Sequence, residues 1–436
     1  MNSNQICQQF LSFYAARGHQ ILPTVPLVAK PPNLTLKSNL WTLPFDPISL
    51  GHKYSPQNHS TILQKHISPN ITVLTQRHPT FFEMLCNWGD YSPQQALTWA
   101  WELCTEVYQL SPSRLVVSVA SDDTQTLGIW RDQIGIPQER IILSRWNFWR
   151  PRHHGHAGNS TRIHYDCYPE RGYELAASEE DIEFQSKGKE YYDHDDHLFY
   201  ILPEENLRFL TFYTLVFMNL EYQPYVNKYL ALPSSYMAAG MDLERLATIL
   251  TGVSSFYETD LIFPIIQTAA QVAGIDYYQS DNLTKAALKV IADHIRAAVH
   301  LSADYIFKPP QRWLHTPIQK LTQIWLMRLV LHTQLLGIKQ SFIDLLIANT
   351  ISVAEEFYPH LREQQTQITA FLKQQESYCW QLLQMECQKG IITGYLLAQL
   401  LVTYNCSIKE IKRWAICQGL TIDWDGYNQI LGPEID

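Results

Sequence analysis

Several features that would assign a protein at once are missing from this chain. Its eight cysteines, Cys7, Cys86, Cys104, Cys167, Cys379, Cys387, Cys406 and Cys417, include no CxxC pair and no disulfide-framework spacing. Reduced thiols in a cytosolic protein are the simplest reading. No basic stretch precedes an apolar one at the N-terminus, and no apolar run approaches about eighteen residues. Neither an export signal nor a membrane span is therefore expected, and the protein should be soluble and cytoplasmic. Positive charge is in short supply: 33 Lys and Arg stand against 42 Asp and Glu, a formal net charge of −9. Without a basic footprint over the whole chain, contact with nucleic acid needs a local patch. Repeats and low-complexity segments do not stand out either.

What remains is the composition of a folded globular protein, 46% hydrophobic and 17% charged. A length of 436 residues exceeds one small core, so two domains or three are expected. Ile6, Phe10, Phe13 and Tyr14 share one helical stripe over 4–17, and Gly18 closes it. A Pro-broken, β-branched segment follows. Residues 61–63 and 71–74 then flank a turn at Ser68, Pro69 and Asn70, which reads as a hairpin. Spacing predicts a helix over 93–110, a strand over 115–119, a short helix over 124–134, and strands over 161–165 and 207–222. Helices and antiparallel strands mix without a regular βα period, so the class is α+β. From about residue 255 the stripes are those of a helical bundle, with a small helical subdomain over 394–432.

Three stretches carry chemistry. In TQRHPTFFEMLCNWGDY (75–91), Arg77 and His78 precede an aromatic strand. A guanidinium forks onto phosphate, and Phe81 stacks on a base. The other reading is a strand entering a core with a solvated Arg at its mouth. Over 147–166, His153, His154, His156 and His164 invite a metal, but carboxylates are distant and no HxxxH or Cys pairing supports one. The tract His194, Asp195, Asp196, His197 has better ligand chemistry, yet sits in a charged, loop-like insertion where a solvated turn is the plainer account.

In order along the chain, these motifs resemble alanyl-tRNA synthetases, class II enzymes that activate alanine with ATP and load it onto tRNA. FLSFYAARGHQ with the Pro-rich segment looks like the first class motif, TQRHPTFFEML like the end of the second, and GMDLER like the third. SDDTQTLGIW, IGIPQERI, NFW, YTLVFMN and VIADHIRAA match between and after them. The resemblance covers nearly the whole chain. It implies a class II synthetase-like antiparallel sheet flanked by helices over 1–254, and a helical domain over 255–436 resembling the tRNA-acceptor-recognition domain. The editing domain, with its zinc ligands, and the C-terminal domain have no counterpart, so no zinc is expected. Arg77, His78, Phe81 and Arg245 match the ATP contacts, with Mg²⁺ expected beside the phosphates. Trp149, Arg162, Thr214, Ala238 and Asp242 match the substrate pocket.

Departures from the family pattern set the functional expectation. The earlier motif-two arginine falls near Ser68, and loss of one such preorganised donor costs a factor of about 10² to 10³. Lys65 is the nearby point charge. Ala238 stands where the family's Asp pairs with the substrate amine. Asp242, four residues on, would either take over the amine or repel a phosphate. Arg162 replaces a glutamate and Thr214 an asparagine, which suggests a ligand other than alanine, and an anionic one. On the tRNA side, PIQKLTQIWLMRLVLHT retains only Lys320 and Arg328, and Val402 replaces the acceptor-reading Asp. Trp313, Trp325, Leu326, Leu329 and Leu331 are either bundle core or a face for a protein partner. The expectation is a paralogue that has lost alanine–tRNA ligation, binds tRNA weakly or not at all, and serves as a regulatory or binding protein with nucleotide binding retained. The alternative is ATP-dependent adenylation of another amino acid or carboxylate, passed to tRNA or another acceptor.

Overall fold

Asn2 opens the fold. Its side chain accepts from the Gln5 amide while the Gln5 side chain accepts from the Asn2 amide, a reciprocal cap that starts helix α1 (Ser3–Ala15). Ile6, Phe10, Phe13 and Tyr14 are buried along it, and Gly18, at φ 84°, ends the turn that follows. The computed structural model describes residues 1–28, 59–68, 79–150, 155–171, 208–223, 225–306, 317–387 and 390–431.

A nine-stranded sheet follows, built from β1 (Gln20–Ile21), β2 (Ser60–Ile67), β3 (Phe81–Gly89), β4 (Leu115–Ala120), β5 (Ile141–Ser144), β6 (Phe148–Trp149), β7 (Gly155–Asp166), β8 (Phe209–Gln223) and β9 (Lys228–Asp242). Their order is β1-β2-β3-β9-β8-β7-β4-β5, with β6 on β7. Only the β1–β2 and β4–β5 pairs are parallel, so the α+β expectation holds. The hairpin expectation needs correcting. Residues 61–67 pair with β3, Lys65 opposite Glu83 and His66 opposite Phe82, because β3 offers an apolar run of matching length; 71–74 lie outside the described residues. Gly158 lets β7 approach β8: a Cβ there would sit 1.8 Å from the Phe217 carbonyl oxygen.

Side chains alternate between the two faces of each strand. One face joins α1 and α2 (Pro93–Glu102) in the main core through Phe81, Leu85, Tyr213 and Leu215. Burial of each such side chain contributes about 1.5–3 kcal/mol. The other face carries a smaller apolar cluster: Leu22, Ile62, Met84, Cys86, Trp88, Val216, Met218, Tyr236 and Ala238. It is this second face that bears the candidate site.

Beyond the sheet come α4 (Leu243–Thr251), numbered after the short α3 (Thr124–Gly128), then α5 (Phe263–Ala273), α6 (Asn282–Ile306), α7 (Pro317–Leu335), α8 (Ile343–Ala354), α9 (Gln365–Glu386), α10 (Ile408–Gln418) and α11 (Trp424–Leu431). Helix α6 is buried nearly all round from Ala287 to Asp304, as a helix passing through a core must be. Its polar residues fasten it to the sheet. Asp293 accepts from the Thr80 amide at 2.9 Å. Arg296 donates to Glu83 and to Glu244, each at 2.7 Å, and Asp304 receives the Lys65 ammonium at 2.6 and 2.7 Å. Trp325, Leu326, Leu329 and Leu331 are buried within this chain and are bundle core; Trp313 lies outside the described residues. Among the described residues no helix is long and apolar enough to cross a membrane.

Candidate functional site

Alternation along β3 decides which ring can meet a ligand. Phe81 faces the main core, where its ring stacks on His300 with centroids 4.1 Å apart and planes 10° apart. The Arg296 guanidinium lies 4.7 Å from the Phe81 centroid. Phe81, expected to lie under a base, is placed by the structure in the core, 1% exposed and in contact with His300 and Arg296. Phe82, one residue on, is half-buried on the opposite face, beside the cluster of Met84, Trp88 and Ala238. His66, its cross-strand partner, stacks on it at 5.1 Å and 15°. The alternation of period two was readable in TFFEML, and it is the signal that puts Phe82 and Phe81 on opposite faces.

The same alternation removes Lys65 from the site. It shares the core face with Glu83 and is held by Asp304, so it cannot stand in for a phosphate-gripping cation. Arg77 and His78 lie outside the described residues, as do His153, His154 and the tract His194 to His197. Among the described residues no group of three or more His, Cys, Asp or Glu side chains is arranged to hold a metal.

Residues brought together on the site face come from β6, β7, β8, β9 and the start of α4. Arg162 lies opposite Thr214, Thr214 opposite Gly240, and Gly240 opposite Cys86, one row across four strands. Two residues along, Ala238 pairs with Val216 and Trp88 and is fully buried. Trp149 packs against the same cluster. At the end of β9, Asp242 caps α4 by accepting from the Arg245 amide at 2.9 Å. Its other oxygen lies 3.2 Å from Arg245 Nε, and Arg245 Nη1 donates to the Thr211 carbonyl at 2.7 Å. Burial pushes the Asp242 carboxyl up, and the Arg245 charge opposes that shift.

Two histidines complete the face: His66, which the sequence reading did not single out, and His164, which it considered only as a metal ligand. His164 exchanges hydrogen bonds with Ser118 Oγ at 2.9 Å and Thr211 Oγ1 at 2.7 Å. Burial lowers it to about 3, assisted by the Arg162 and Arg245 charges. His66 is lowered to about 3 by burial. Both are neutral ring donors or acceptors at neutral pH. The arrangement offers an aromatic shelf at Phe82, an apolar floor, and guanidinium charge at Arg162 and Arg245. It offers little negative charge, since Asp242 is already engaged.

The helical half reads similarly. Arg328 is buried against Glu410 at 3.2 Å, and His332 meets the same carboxylate at 2.9 Å. Of the two cations retained on α7, only Lys320 is exposed. Val402 is 69% exposed.

Comparison with known proteins gives this geometry its ancestry. Residues 5–432 match the family described as tRNA synthetases class II (A). The chain is 37% identical over 447 residues to an alanine–tRNA ligase of Nostoc punctiforme, covering 98% of this chain and 47% of that protein. It is 37% identical over 456 residues to that of Trichormus variabilis, covering 100% and 48%. With that of Microcystis aeruginosa it shares 38% over 445 residues, covering 98% and 47%. The chain thus spans about half the length of the curated relatives it matches. A mixed sheet flanked by helices, a helical continuation and a match over nearly every residue lead to one conclusion: the chain belongs to the class II (A) tRNA synthetase family.

Proposed function

We propose that this chain is a ligand-binding relative of the alanine–tRNA ligases that does not itself join alanine to tRNA. One observation carries the reading. Where the family resemblance calls for a carboxylate to hold the substrate amine, Ala238 stands buried among Val216, Trp88 and Tyr236, and the nearby Asp242 is held by Arg245 and the α4 amide. An ammonium placed there has no counter-ion, and a desolvated charge without one costs several kcal/mol. Nucleotide binding remains part of the proposal, with Phe82 as the base shelf, Arg245 toward the phosphates, and Arg77 and His78 from the second motif. Mg²⁺ would neutralise phosphate charge there. Phe82 and Arg245 fit such a ligand in kind, while the Asp242–Arg245 pair weakens the cationic end. Residues 1–254 would be the ligand-binding domain and 255–436 a helical domain. The engagement of Arg328 by Glu410 supports weakened tRNA contact, and the cytoplasm is the expected compartment. ATP–pyrophosphate exchange with alanine, together with charging of tRNA by labelled alanine, tests the proposal. Both should be silent; alanine-dependent exchange well above background would overturn it.

A second reading, ATP-dependent adenylation of a different carboxylic acid, is favoured by the charge of Arg162 on this face. Exchange driven by an acid other than alanine would establish it.

A further inference from the structure

Arginines buried in this protein have partners. Arg140 and Arg208 share Asp166, Arg296 bridges Glu83 and Glu244, and Arg328 meets Glu410. The half-buried Arg245 meets Asp242. This is the ordinary rule, because a guanidinium withdrawn from water needs a carboxylate and hydrogen bonds to offset its lost hydration. Arg162, half-buried like Arg245, departs from it. It sits in the middle of β7, with β4 on one side and β8 on the other, and burial lowers its pKa. Its polar contact is one long approach of Nη2 to the Trp146 carbonyl at 3.5 Å, and among the described residues no carboxylate pairs with it.

We infer that Arg162 is the anchor for a carboxylate of a small organic acid bound on this sheet face. The inference rests on the reading of this face as a ligand site and names the class of ligand. Charge matching selects the class. Among the described residues of this face Arg245 is neutralised by Asp242 and His66 and His164 are neutral, which leaves Arg162 as the uncompensated positive charge that a monoanion balances. Geometry agrees. A single planar fork suits the two oxygens of a carboxylate, whereas a phosphate group takes up more cations or amides than Arg162 alone supplies. The neighbours set the rest of the ligand. Trp149, Val216, Met218 and Ala238 form an apolar floor, and the Thr214 hydroxyl is the cross-strand neighbour of Arg162. An aliphatic monocarboxylic acid of a few carbons fits that surface.

Calorimetric titration of the full chain with butyrate, pentanoate, butyramide and inorganic phosphate tests the inference. Butyrate or pentanoate should bind saturably, and butyramide should not. Arg162→Gln should weaken that binding by at least about tenfold, the loss typical of a charge-assisted hydrogen bond, with Arg162→Lys intermediate because it keeps the charge without the fork. Thermal unfolding without ligand provides the control: Arg162→Gln should match or exceed the wild type, since it removes a half-buried charge that no carboxylate among the described residues offsets, whereas a structural arginine would lower the transition. Arg162-dependent binding of phosphate in preference to the acids overturns the inference, and so does the lack of Arg162-dependent binding by any acid probe. The alanine exchange assay is independent of these outcomes, so failure of the carboxylate assignment and failure of the proposed loss of alanine ligation are separately visible.

Discussion

Asp242 Oδ2 lies 3.2 Å from Arg245 Nε, and the same carboxylate caps the helix on which Arg245 sits. The strand-to-helix turn is thereby locked, and the guanidinium closest to the proposed nucleotide is answered from within the chain. Asp242→Asn keeps a competent cap and removes the charge. ATP affinity, measured by calorimetry, should rise by at least about fivefold, roughly 1 kcal/mol, because the buried carboxylate no longer answers the Arg245 charge. Unchanged affinity would mean that Arg245 does not face the nucleotide.

Phe81 and Phe82 are adjacent in sequence and lie on opposite faces of the sheet. Phe81→Ala empties a core position and should destabilise the protein by about 3–5 kcal/mol in denaturant unfolding. Phe82→Ala should cost much less stability but weaken nucleotide binding by about 1–3 kcal/mol, the range for base stacking on an aromatic ring. If the binding loss followed Phe81 and not Phe82, the face assignment would be reversed.

The Lys65–Asp304 pair links β2 to α6 in a buried setting. Lys65→Met alone leaves Asp304 unpaired and should cost about 3–5 kcal/mol, while Lys65→Met with Asp304→Leu should recover most of that loss. Urea unfolding of the two variants makes the comparison; equal destabilisation would show that the ions do not act as a pair.

His66 and His164 are held to about 3 by burial, against about 6.5 in an unfolded chain. Between these values the unfolded chain binds more protons, so their contribution is complete above pH 6.5 and is lost as pH falls toward 3. Each histidine should add about 1.4 kcal/mol per pH unit to the slope of unfolding free energy in that window. His66→Phe keeps a ring against Phe82 and should reduce the slope between pH 6.5 and 4 by about that amount. An unaltered slope would show that His66 is not buried in its neutral form.

Much of this protein was legible before its coordinates. The helical stripe of α1, the strand pattern and the ordered motifs gave the α+β class and the family, since each depends on local spacing. The substitutions Ala238, Arg162 and Val402 were visible as residue identities. The pairing of β2 with β3 was not legible, because pairing partners are chosen by matched length and burial across the sheet, not by nearness to a turn signal.

Sequence by itself therefore determined the ancestry and the chemistry available, because motif order and residue type are properties of the chain. Tertiary structure alone decided which of that chemistry is free to act. Whether Phe81 or Phe82 meets a ligand depends on sheet register, where a shift of one residue reverses every side chain. Whether a cation is spent depends on partners far away in the chain: Lys65 is 239 positions from Asp304, and Arg328 is 82 from Glu410. Arg162 has no such partner among the described residues. Burial makes that difference matter, because a charge withdrawn from water is stabilised only by what the fold, or a ligand, places beside it.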